Sequence, residues 1–88
     1  MDLDDLEPAA QLWAYEIAHA MRTLEASRSD SGKHAAALLA AVDTVARVRR
    51  LLPLMNLDPL HEADIRSRLH QLRSRIDVLS KAAHHGKR

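Results

Sequence analysis

Leu6, Ala10, Trp13, Ile17, Ala20 and Leu24 recur at spacings of four, three, four, three and four. At about 100° per residue this spacing gathers them on one narrow stripe of a helix. The same rhythm returns in Ile65, Leu69, Leu72, Ile76, Leu79 and Ala83. Between these seams lies a stretch rich in Ala, Val and Leu, on which Leu38, Val42, Val45 and Ala46 read as the buried face. No segment alternates with period two, so nothing in the pattern predicts a strand.

Breakpoints divide this pattern into three helices. Only 2 Gly and 3 Pro interrupt a chain holding 15 Ala and 14 Leu, a balance that favours helix. Pro8 suits a first helical turn, with Asp4, Asp5 and Glu7 beside the positive end of the helix dipole. Ser27 to Gly32 is polar and rich in capping residues, and reads as a turn ending near an N-cap. Pro53 disfavours helical geometry in the residue before it. Asp58 and Pro59 form an N-cap and N1 pair. The predicted helices are 8–26, 33–52 and 59–83, with 84–88 as a basic tail. Long helices and short connections give an all-α fold in one of two forms. Either the chain closes as an antiparallel three-helix bundle, or a helical hairpin and its third helix are completed by dimerisation.

Charge changes this picture more than composition does. The formal net charge is +1, but residues 1–30 carry −5, residues 31–58 carry +2 and residues 59–88 carry +4. An acidic first helix beside a basic third is the simplest arrangement, and a basic surface for nucleic acid or an acidic protein is the other.

Several function classes are disfavoured at this stage. A chain of 88 residues forms one small domain that buries only ~60–65% of its unfolded surface, which leaves little room for a deep substrate cavity. The absence of Cys removes disulfides, thiolate metal ligands and cysteine nucleophiles, and suits a reducing compartment. The acidic residues 1–5 do not read as a signal peptide. No stretch free of charge and His exceeds the eight residues of Ala35–Val42, far short of the ~20 needed to span a membrane. A cytoplasmic location is expected. The six histidines, His19, His34, His61, His70, His84 and His85, show no i, i+4 pair on one helix and no HExxH, so no metal site is expected. With no Gly-rich phosphate loop and no nucleophile elbow, neither a cofactor nor a catalytic residue is expected.

Four features remain as candidates for function. Arg49 falls on the face assigned to the core, where a guanidinium is costly unless paired; it either pairs with Asp5 or Glu7 or snorkels to the bundle end, and a partner-binding arginine is the other reading. The connector carries Leu54, Met55 and Leu57 where a loop is normally polar. It either caps the core or offers an apolar knob to a partner. On the outer face of the first helix, Leu12, Tyr15 and His19 lie together, and tyrosine is favoured at interfaces. On the third helix, Arg66 and Arg73 border one side of the seam and Arg68 and Arg75 the other. Such flanking residues pair across helical interfaces or neutralise phosphates.

These features predict a small non-enzymatic module that binds a protein partner through an exposed helical face and self-associates as a homodimer. Its format is that of many small adaptors, secretion co-chaperones and regulators, and no motif ties it to one. The alternative is a nucleic-acid-binding regulator using the third-helix arginines and the basic tail. Against it stand Glu62, Asp64 and Asp77 on the same helix, the lack of an aromatic stacking platform and a pI near 8.3.

Overall fold

Proline at a first helical turn, aspartate caps and one left-handed asparagine decide where the helices begin and end. The protein is described by a computed structural model over residues 6–85, with side chains through residue 82. Helix α1 spans Pro8–Ala26, with Pro8 in its first turn and Glu7 in extended geometry at the cap. Helix α2 spans Ser31–Leu51. It starts two residues before the expected Lys33, because the Asp30 side chain accepts the Lys33 amide at 3.0 Å and so draws Ser31 and Gly32 into the first turn.

After Leu51 the chain tightens into a 3₁₀ turn, Leu52–Leu54, with Pro53 inside it. Asn56 then takes φ 52°, a left-handed conformation that asparagine tolerates better than most residues. It redirects the chain into Asp58, whose Oδ1 accepts the Leu60 amide at 3.0 Å. Helix α3 runs Pro59–His85, past the expected end at residue 83. His84 and His85 therefore belong to the helix, and residues 86–88 of the expected tail lie outside the described residues.

All three helix pairs are in contact, so the fold is the closed three-helix bundle, with α3 covering the hairpin of its own chain. The 27 residues of α3 extend about 40 Å at 1.5 Å per residue and set the long axis of a 46 × 21 × 17 Å molecule.

The outer two helices bury the stripes that their periodicity marks. Every seam residue of α1 is buried, as are Ile65, Leu69, Leu72 and Leu79 of α3, while Ile76 is half-buried. The side chain of Ala83 lies outside the described residues. Helix α2 departs from expectation. Its buried residues are Ala37, Ala41, Thr44, Val45 and Val48, whereas Val42 is 51% exposed, Leu38 is half-buried and Ala46 and Arg49 are exposed.

The core face of α2 is thus turned by about one residue, or 100°, from the expected one. Trp13, Ile17, Leu24, Leu69 and Leu72 already occupy the centre from the other two helices. Close packing then admits small side chains from the third helix, and Ala37 and Ala41 let its backbone approach where Leu38 and Val42 would overfill the space. Thr44 is tolerated in this face because its hydroxyl donates back to the Ala40 carbonyl at 3.1 Å.

Polar contacts tie the helix ends together. Glu7 Oε2 accepts the Asp58 amide at 3.2 Å and lies 3.0 Å from His61 Nδ1, which joins the start of α1 to the start of α3. The same ring nitrogen lies 3.2 Å from the Glu7 amide. It accepts from that amide when bare and donates to the carboxylate when protonated. At the other end of α1, Arg75 Nε of α3 donates to Glu25 Oε1 at 2.5 Å.

Candidate partner-binding surface

Three of the four sequence features change character once placed on this bundle. Arg49 is an exposed residue in the last turn of α2, not a buried one. Glu7, one expected partner, is engaged by His61 and Asp58, and Asp5 lies outside the described residues. The physical reason is the rotation of α2, which carries Arg49 out of the core along with Val42 and Ala46. Its charge there opposes the negative end of the helix dipole and needs no buried counter-ion.

The connector divides its three apolar residues between core and surface. Leu57 is 8% exposed and belongs to the core. Met55 is half-buried, its sulfur taking the Trp13 indole N–H, so this residue caps the open end of the core. Leu54 alone of the three faces solvent, at 73% exposure. The capping reading therefore holds for Met55 and Leu57, and the knob reading survives only at Leu54.

Three of the four arginines of α3 hold carboxylates on their own molecule. Arg66 pairs with Glu62 at 3.3 Å and Arg68 with Asp64 at 2.7 Å, both within the helix. Arg75 bridges to another helix, through Glu25. Mutual attraction holds the Glu25 carboxyl below its ordinary pKa and raises that of Arg75, the hydrogen bond being the larger cause in each case. Arg73 is exposed and makes no ion pair or hydrogen bond among the described residues.

The outer face of α1 keeps its expected character. Leu12 is 58% exposed and Tyr15 52%, and both line a groove between α1 and α2 with His19, Thr44 and Arg47. Arg47 Nη2 donates to Glu16 Oε2 at 3.0 Å across this groove, while its Nε is shielded from solvent without an acceptor. A second hollow between the same two helices lies toward the hairpin turn, where Ala36, Ala37 and Ala40 of α2 face Thr23 and Ala26 of α1. Between Leu12 and Ala26 the α1 side of these two hollows extends about 21 Å at 1.5 Å per residue, about four helical turns. On the α2 side, alanine predominates near the hairpin turn beside Lys33, and Thr44 and Arg47 stand opposite Leu12 and Tyr15.

Comparison with protein-family models, with curated proteins and with solved structures returns no match. Any functional reading therefore rests on this chain's own surfaces. Among the described residues no three His, Cys, Asp or Glu side chains gather where they could hold a metal ion. No described helix is long and apolar enough to cross a membrane.

Sequence reasoning located Leu12, Tyr15 and His19 but missed the α2 wall of the cleft. Ala36, Ala40 and Thr44 carry no chemical signal of their own, and alanine in a helix reads as propensity. The one available cue was Arg47, a cation beside an otherwise apolar run, standing opposite Glu16 once the hairpin is folded.

Proposed function

We propose that this protein is a small non-enzymatic interaction module of the adaptor, co-chaperone or inhibitor-like kind, which docks a partner protein's helix in the cleft between α1 and α2. The observation that carries this reading is the pairing of two half-exposed large residues, Leu12 and Tyr15, with a groove between α1 and α2 whose opposite wall is Thr44 and Arg47. Aromatic and aliphatic anchors beside a groove are how helix-in-groove recognition works. A fourth helix laid there would turn the three-helix bundle into a four-helix packing of ordinary geometry. Tyrosine contributes contact area at low entropic cost and keeps a hydroxyl for the rim. The cysteine-free composition suits work in the cytoplasm.

Nucleic-acid binding ranks second because Arg66, Arg68 and Arg75 each already face a carboxylate. A partner that is a second copy of the chain falls within the proposal and is recognised by mass.

A photo-cross-linking residue placed at Tyr15, with a control at exposed Ser74, tests the reading in the cells that make the protein. A discrete adduct at position 15 that disappears with Leu12→Asp is expected, and an adduct of twice 9.9 kDa identifies a homodimer. Equal adducts at positions 15 and 74, or none at position 15, contradict it.

A further inference from the structure

The rotation of α2 that removes Arg49 from the core places it on the wall of a second groove, between α2 and α3. Val42, Val45, Ala46 and Ile76 line this groove, with Arg49, Arg73 and Asp77 at its edges. Its apolar stripe extends outward along α2 to Leu39, one turn before Val42 and 73% exposed. Five of the nine described arginines, Arg28, Arg47, Arg66, Arg68 and Arg75, hold a carboxylate. Among the described residues, Arg22, Arg49, Arg50 and Arg73 do not, and two of those four stand at this groove.

We propose that the α2–α3 groove is a second docking surface, whose occupant is an acidic amphipathic helix of a partner protein. The apolar floor takes the occupant's hydrophobic stripe, and Arg49 and Arg73 take carboxylates on its flanks. Guanidinium forks bind carboxylates in bidentate fashion, and a rim on which cations outnumber anions two to one favours acidic partners. Asp77, the one carboxylate at the groove, disfavours a polyanion laid along it and leaves room for discrete acidic side chains. Phosphate contacts need no apolar floor, whereas this groove has one. The inference is independent of the α1–α2 cleft, which lies on a different pair of helices, and together the two surfaces make the module a bridge between partners.

The probe is a synthetic amphipathic helical peptide with a Leu/Ala stripe and Glu on both flanks. A control peptide carries Lys at the same positions, and a short DNA duplex serves as a polyanion. Binding is followed by amide shifts of the isotope-labelled full chain. Saturable shifts at Val42, Ala46 and Ile76 with the Glu peptide, and none with the Lys peptide, are expected. The double variant Arg49→Glu/Arg73→Glu should bind the Glu peptide about tenfold more weakly or worse and gain affinity for the Lys peptide. Both side chains are exposed, and a melting curve for the variant confirms that it folds. Three results overturn the proposal: no shift with the Glu peptide, unchanged affinity in the double variant, or shifts at the same amides from the duplex with a steeper salt dependence than the peptide's.

Discussion

Leu72 has no exposed surface, whereas Arg49, one residue past the fully buried Val48, stands in solvent. Truncating Leu72 leaves a cavity where three helices meet, so Leu72→Ala should cost about 2–5 kcal/mol. Arg49→Leu removes an exposed cation and should move stability by no more than about 0.5 kcal/mol. Urea melts of the two variants check both values together. A large loss from Arg49→Leu would return Arg49 to a structural role and undo the account of α2. At this scale the stripes of α1 and α3 were legible, because large apolar residues at a strict spacing leave one solution. Arg49 was not, since its burial depended on which of two overlapping faces of α2 points inward.

That ambiguity belongs to the helix as a whole. Helix α2 carries apolar residues around most of its circumference, from Ala37 and Ala41 through Leu38 and Val42 to Leu39. Periodicity alone favours the bulkier face, whereas the packed centre selects the smaller one. Helix ends were easier to read, because Pro8, Asp30, Pro53, Asp58 and Pro59 act locally through missing donors and side-chain acceptors. The connector was half legible: its apolar content foretold a cap on the core but not which residue would face water. Between elements, the firmest polar tie at the turn end of the bundle is Arg75 to Glu25.

The Glu25 carboxyl titrates below its ordinary 4.5. Its stabilising contribution is therefore complete above that value and lost as pH falls through the lowered folded value. In Arg75→Gln the Glu25 midpoint should return upward toward 4.5, read from its side-chain carboxyl resonance. An unchanged midpoint would show that the α1–α3 tie is absent in solution.

As a whole, the molecule resolves many of its opposed charges into local pairs and leaves part of its apolar surplus along the α1–α2 and α2–α3 grooves. The acidic first third and basic last third do meet, through Glu25 with Arg75, and Arg66 and Arg68 also pair with acids of their own helix. Closure within one chain buries the seams without drawing on Leu12, Tyr15, Leu39 or Val42. The first pair was visible in the sequence because an outer helical face should be polar. Of the second pair, Val42 was hidden by its assignment to the core and Leu39 was assigned to no face.

Hydroxyl-radical footprinting of the natively assembled protein against the purified chain tests the central reading most directly. The docked cleft predicts that modification of Leu12 and Tyr15 falls sharply in the assembly, while exposed Leu60 and Val78, outside both grooves, react as before. Unchanged reactivity of Tyr15 in the assembly, with protection appearing only around Arg66 and His70 on α3, would contradict it.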